Sequence, residues 1–325
     1  MINITIIGMG LIGTSLGMAL RSAPEDSAPL GPTVITGYDR DAKAIADARG
    51  RLAIDRQART LEEAVREAEL VVVAVPAMAV RAVFAEIAPL LAHGAVVTDV
   101  TSTKAQVVAW ASELLPRTAE FVGGHPMAGK EQTGPASAER DLFKNALYCL
   151  TPLANTRPEA IAVVEAMARQ AGARPYFVEP VEHDSLVGGA SHLPFLLSTA
   201  LVGVTSTSPA WREIAALAAS GYRDISRLAA GDVAMHRDIC LTNPEALTYW
   251  IDRSTEWLAA LREQIVAGDA DALTAAFEQA SRTRDEWQQA RPNQRPGEDD
   301  FIHPGGSVPE RRSLFGLGGR KGGQK

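Results

Sequence analysis

The chain has only two cysteines, Cys149 and Cys240, among its 325 residues. Neither belongs to a Cys-x-x-Cys or Cys/His cluster, so neither a disulfide framework nor a structural zinc site is expected. Positive charge is in the minority: 32 Lys and Arg stand against 39 Asp and Glu, a net charge of −7. That balance argues against a nucleic-acid partner, which usually meets a basic face. No stretch approaches the roughly 18 apolar residues that a membrane span needs. The apolar start, residues 2–7, has no basic flank and runs straight into glycines, so it reads as a first strand and not as a signal peptide. These absences predict a cytoplasmic protein with no metal, no membrane and no nucleic acid among its partners.

What is present is an ordinary globular composition, 46% apolar and 22% charged, in a chain long enough for two domains. Strand patterns at 2–7, 33–38, 70–75 and 95–100 alternate with helical ones at 14–21, 41–49, 61–68 and 78–91. Residues 22–32 carry three prolines and read as a loop. The unbroken apolar run 70–75 suits a parallel strand buried on both faces. Weaker strands follow at 120–122, 147–151 and 176–178, with a helix at 158–171. After about residue 180 strand signals vanish. Leu247, Ile251, Leu258, Leu261 and Ile265 fall at helical spacing, as do Leu273, Phe277 and Ala280. The pattern predicts an α/β fold: a doubly wound parallel sheet over 1–180 followed by an all-α domain over 181–290. Trp250, Trp257, Leu258 and Leu261 give that domain a broad apolar face, either its own core or a dimer seam. The tail 291–325, rich in Pro, Gly and basic residues, is predicted to be disordered. No regulatory domain is expected after 290.

The first strand leads into Gly8-Met9-Gly10-Leu11-Ile12-Gly13, and a helix follows. A Gly-x-Gly-x-x-Gly alone is weak; between a strand and a helix it is the dinucleotide fingerprint of a Rossmann-type fold. Gly8 permits the turn, Gly10 lets a pyrophosphate approach, and Gly13 lets helix and strand pack closely. Leu11 and Ile12 offer helix N-terminal N–H groups to phosphate. Asp39, at the end of the second strand, is placed to accept hydrogen bonds from ribose hydroxyls and to repel a 2′-phosphate, which favours NAD. The adjacent Arg40 is the complication, because an Arg there can hold a 2′-phosphate or stack on adenine. Val75-Pro76 ends the third long strand and is expected to lie along the cofactor.

Ligands of open parallel sheets bind beyond the carboxyl ends of the strands. Two such ends carry chemistry: Asp99-Val-Thr-Ser102-Thr-Lys104, and Gly123-Gly-His125-Pro126. A His between glycines and a proline is expected on a rigid loop with room for a substrate beside it.

At these residues the chain resembles the prephenate/arogenate dehydrogenases. The matching segments are GMGLIGTSLGMAL (8–20), TDVTSTK (98–104), GGHPMAGKEQTGP (123–135), HD (183–184), SHLP (191–194), GYRDISRLAAGD (221–232) and HRDICLTN (236–243), spread over roughly 1–290. The resemblance implies oxidative decarboxylation. NAD takes a hydride from the ring carbon bearing the hydroxyl, the ring carboxylate leaves as carbon dioxide, and aromatisation drives the step. It makes His125 the catalytic group, accepting the hydroxyl proton on a neutral imidazole. Ser102 then fixes the same hydroxyl or orients His125. Arg227 binds a substrate carboxylate, with an ordinary surface ion pair to Asp224 as its bland counterpart. Lys130, Glu131, His192 and Gly221 complete the substrate-binding set implied. His192 either lines the cleft or caps helix contacts. His183 and Asp184 read as structural, holding the start of their helix. A homodimer through the helical domain follows from the same resemblance.

Three departures leave the substrate open between prephenate and arogenate. Phe195 stands where several members have a histidine, His236 where a tryptophan is common, and Lys130 at a variable place. An ammonium at Lys130 attracts the extra negative charge of prephenate, whereas Phe195 resembles the arogenate-using members. Glu131 could pair with the ammonium of arogenate or quench Lys130. Two rival readings remain. Another small dehydrogenase of the β-hydroxyacid or imine-reductase type would use Lys104, whose alternative role is to neutralise Asp99. A non-catalytic NAD-sensing module would not need His125, Ser102 and Arg227 together.

Overall fold

A computed structural model describes residues 1–22, 28–130 and 132–290. The predicted tail 291–325, residues 23–27 of the proline-rich loop and Glu131 lie outside the described residues.

The first strand, β1 (Ile2–Ile7), turns at Gly8 into α1 (Leu11–Ser22). Then come β2 (Thr33–Tyr38), α2 (Ala42–Gly50), the two-residue β3 (Arg56–Gln57), α3 (Leu61–Val65) and β4 (Leu70–Val73). The second half runs through α4 (Ala77–Ile87), β5 (Val96–Asp99), α5 (Ala105–Leu114), β6 (Glu120–Pro126), β7 (Leu147–Pro152), α6 (Pro158–Gln170) and β8 (Arg174–Phe177). The eight strands lie in the order β3-β2-β1-β4-β5-β6-β7-β8. The order reverses between β1 and β4, the switch point at which such sheets bind ligands.

The sheet has a core on each face, because alternate residues of the strands point to opposite sides. Ile4, Ile6, Leu70 and Val72 pack to one side with α1 and α6, and Ile7, Val71, Val73 and Val97 to the other with α4 and α5. The sheet departs from all-parallel at one pair. β6 and β7 are antiparallel, with His125 opposite Cys149, and β8 then pairs parallel to β7. The signal for β6 stopped at residue 122 because glycines have low strand propensity; the strand in fact continues through Pro126.

Among the described residues, helices follow without a further strand: α7 (Pro180–Val187), a π-helical turn (Gly188–His192), α8 (Leu193–Ser206), α9 (Trp211–Leu217), α10 (Ser220–Ser226) and α11 (Val233–Thr242). The π turn carries Gly188 and Gly189, where a Cβ would press into the Trp250 ring at 3.1 and 2.8 Å. The indole Nε1 donates to the Ser185 carbonyl at 3.1 Å, so Trp250 is claimed by local packing. The continuous helical run Pro180–Ser206 spans 27 residues and is long and apolar enough to cross a membrane by length and composition. The run escaped notice as a sequence because His183, Asp184 and His192 interrupt its apolar stretches. Those three side chains are buried, and His183 and Asp184 bond to the sheet region.

The long helix α12 (Pro244–Ala267) begins in this first compact unit, which ends at Trp257. The second unit starts at Leu258 and contains the rest of α12 and α13 (Ala270–Ala290). None of its described residues is buried.

Candidate active site

The glycine turn is shaped for a dinucleotide. Gly8 has φ +98°, and a Cβ on it would lie 2.4 Å from the Ala74 carbonyl oxygen. A Cβ on Gly13 would lie 2.0 Å from the Gly8 oxygen, so α1 could not seat against the turn with any larger residue. Gly10 faces open space, with nothing within 4 Å of a Cβ placed there. Beside it, Leu11, Ile12 and Gly13 carry the N–H groups that a helix start leaves without intrahelical acceptors, and no acidic residue occupies the first turn to compete for them. The Asp39 carboxylate accepts from the Met9 N–H at 2.7 Å and from the Asp41 N–H at 2.9 Å. It holds the turn while keeping lone pairs for ribose hydroxyls, since a carboxylate has about four acceptor sites. Arg40 is exposed next to it. Val75 lies 3.1 Å from the position of a Gly8 Cβ, and Pro76 is exposed at the start of α4. The residues present therefore fit NAD.

A cleft of about 470 Å³ lies within the first unit. Ser102, His125, Lys130 and Arg227 line it, as do Phe195 and His236. His125 is not on a loop, as its glycine and proline neighbours suggested, but within β6 and only 8% exposed. Its place in the sheet fixes its backbone more firmly than a loop would. Burial, aided by the nearby His183, Lys104 and His192, holds its pKa well below the usual histidine value, so the ring is neutral. Phe195 and His236 stack at 4.1 Å with planes 5° apart. Burial pushes His236 below its ordinary value as well. Lys130 forms an ion pair with Glu139 on the rim. Arg227 opens a 3₁₀ turn after α10, and Asp224 lies 3.7 Å from Arg223.

Three residues implied by the resemblance are not brought to the cleft or fall outside what is described. His192 is 1% exposed and sits behind the wall, its Nδ1 3.4 Å from Asn243 Nδ2. Gly221 is exposed on α10 and does not line the cleft. Glu131 is outside the described residues.

Two further groups of buried polar side chains adjoin His125. The first is a chain of hydrogen bonds behind His125. Its Nδ1 lies 2.9 Å from His183 Nε2, and His183 Nδ1 lies 2.8 Å from Asp184 Oδ1. His183 and Asp184 thus do more than start a helix. Only the His-Asp dipeptide signalled them, because the contact spans 58 residues of sequence. The second is Lys104, which is fully buried against Asp99. Its Nζ also donates to Gly124 O at 2.6 Å and Thr101 Oγ1 at 3.0 Å. An ammonium has three donors, and all three are spent inside the protein.

The comparisons agree with this arrangement. Residues 30–177 match the family described as prephenate dehydrogenase, nucleotide-binding domain, and residues 179–279 that described as prephenate dehydrogenase, dimerization domain. Prephenate dehydrogenase of Bacillus subtilis is 34% identical over 290 residues, covering 87% of this chain and 75% of that enzyme. Cyclohexadienyl dehydrogenase of Zymomonas mobilis is 31% identical over 284 residues, covering 87% and 94%. The crystal structure of prephenate dehydrogenase from A. aeolicus with hydroxyphenyl propionate and NAD+ superposes with a TM-score of 0.80 at 27% identity, over 88% of this chain and 98% of that one. The protein belongs to the prephenate dehydrogenase family and is an NAD-dependent dehydrogenase.

Proposed function

We propose that this protein is a prephenate dehydrogenase that converts prephenate to 4-hydroxyphenylpyruvate and carbon dioxide in tyrosine biosynthesis. It works in the cytoplasm as a homodimer, with residues 1–180 holding NAD and 181–290 completing the substrate site and the dimer. The observation that carries the reading is the cleft itself: a buried, neutral His125 beside Ser102 and Arg227, at the carboxyl edge of the sheet that holds the glycine turn.

The glycine turn Gly8–Gly13 and Asp39 would hold NAD, which would supply a hydride acceptor. The chain's own residues do the rest. His125 accepts the proton of the ring hydroxyl, and neutrality suits it to that task. Ser102 steers the same hydroxyl. Arg227 binds a carboxylate through two parallel hydrogen bonds, a geometry lysine does not copy. Lys130 favours the substrate with more negative charge, although its ion pair with Glu139 reduces the effect. At an effective dielectric near 20, unit charges 4 Å apart interact by about 4 kcal/mol; solvent cuts this to about 1–2, or roughly tenfold in selectivity.

A second reading, arogenate dehydrogenase, draws on the apolar Phe195 in the cleft wall. The test is a panel of prephenate and arogenate, each with NAD and NADP, scored by kcat/KM. Prephenate with NAD is expected to be best, the cofactor preference following from Asp39. Preference for arogenate would support the second reading. No reduced cofactor from either substrate would overturn both.

A further inference from the structure

Behind His125 three side chains from two distant segments form one line. Asp184 Oδ1 accepts from the Lys104 N–H at 2.7 Å, and Oδ2 from the Ala105 N–H at 2.9 Å. The same Oδ1 lies 2.8 Å from His183 Nδ1, and His183 Nε2 lies 2.9 Å from His125 Nδ1. All three side chains are buried.

Donors and acceptors along such a line follow from elementary bookkeeping. An ionised carboxylate only accepts. His183 must therefore carry its proton on Nδ1. In the neutral form an imidazole has one donor and one acceptor nitrogen, and in that form His183 Nε2 is bare. Two bare nitrogens cannot share a hydrogen bond, so His125 carries its proton on Nδ1. Its lone pair is then on Nε2, the nitrogen left for a ligand.

We propose that His183 and Asp184 are positioning residues that set the tautomer of His125, presenting a bare Nε2 to the substrate hydroxyl. The proposal rests on the reading of His125 as the proton acceptor and supplies what that reading leaves open, namely which nitrogen accepts. When the hydroxyl proton arrives on Nε2, the O–H bond breaks, an N–H bond forms, and the imidazolium keeps its Nδ1–H on His183. The Asp184 carboxylate, two bonds along the line, offsets the new buried charge. Without it, the groups facing His125 are unfavourable: His183 and His192 from the helices, and Lys104 from the turn before α5, all oppose its protonation. Asp184 also anchors the first N–H groups of the turn that follows Ser102. One carboxylate thereby fixes both groups that meet the hydroxyl.

The test has one readout that needs no substrate. Selective histidine labelling with ¹⁵N reports the tautomer of each ring by NMR. In the wild-type protein His125 is expected in the Nδ1–H form; an Nε2–H form overturns the proposal. Two variants supply the second readout. His183→Leu removes the acceptor, and kcat is expected to fall roughly 10²-fold or more while KM changes little. His183→Gln can put an amide oxygen where Nε2 was, and most of kcat is expected to return. A kcat for His183→Leu within about threefold of wild type, or a folded His183→Gln as impaired as His183→Leu, overturns the proposal. If His183→Leu does not fold, the wild-type spectrum and His183→Gln decide. A wild-type enzyme inactive on both substrates would sink the functional reading but leave the tautomer measurement standing.

Discussion

At the scale of single residues, the fold around the candidate active site buries histidines and opposes their protonation. His192 shows the cost. It is 1% exposed, its Nε2 is buried without a hydrogen-bond partner, and burial pushes its pKa down to about 4. The consequence for stability has a definite sign. Above the ordinary value near 6.5 both folded and unfolded chains hold His192 neutral, and nothing is lost. As pH falls below 6.5 the unfolded chain takes up a proton that the folded one refuses, so stability declines until pH reaches about 4. The full loss is on the order of 3 kcal/mol, of which about 2 falls between pH 6.5 and 5. His125 acts in the same direction. Urea unfolding at pH 7.5 and pH 5 should show the decline, and His192→Leu should flatten it. An equal pH slope in wild type and variant would show that His192 does not titrate as its burial demands.

At the scale of elements, Lys104 joins β5 to β6. Its ammonium bonds Asp99 at the end of β5 and the Gly124 carbonyl next to His125. Gly124 N–H returns a bond to Asp99 Oδ1 at 3.2 Å. Burial pulls the lysine pKa down, and Asp99 pulls against it. With no donor left over, Lys104 holds the strand ends in register and has nothing to offer a substrate. Lys104→Met would leave Asp99 buried and unpaired, at a cost of about 3–5 kcal/mol in urea unfolding. Lys104→Met with Asp99→Asn should lose less than Lys104→Met alone. A stable but inactive Lys104→Met would instead favour a catalytic lysine. Five residues separate Lys104 from Asp99, so their pairing was open to view in the sequence. The glycine turn was legible for the same reason, since strand, turn and helix are all local. The His125–His183 contact was not. It depends on where α7 docks, which no periodicity encodes, and the glycines around His125 concealed that β6 runs on through it.

At the scale of the whole molecule, the helical part was legible as helix but not as a surface. The spacing of Leu258, Ile265 and Phe277 is the same whether such residues are covered by their own domain or by another chain. In the structure they remain 61%, 64% and 61% exposed. Trp257 is 51% and Val266 71% exposed. Monomeric proteins rarely leave so many large apolar side chains uncovered. Each such side chain is worth about 1.5–3 kcal/mol when fully buried, so a second copy covering these helices would be held by many kcal/mol. Residues 179–279 match a family described as a dimerization domain, in line with the proposed homodimer. Sedimentation at micromolar concentration should give twice the 34.6 kDa chain mass. Leu258→Glu with Phe277→Glu places two charges among these side chains and should shift the protein toward monomer. The charges lie outside the cleft, so any fall in activity should track the fall in dimer content across protein concentrations. A wild-type monomer would show that the exposed face serves something other than self-association. A dimer untouched by both charges would put its seam on other helices.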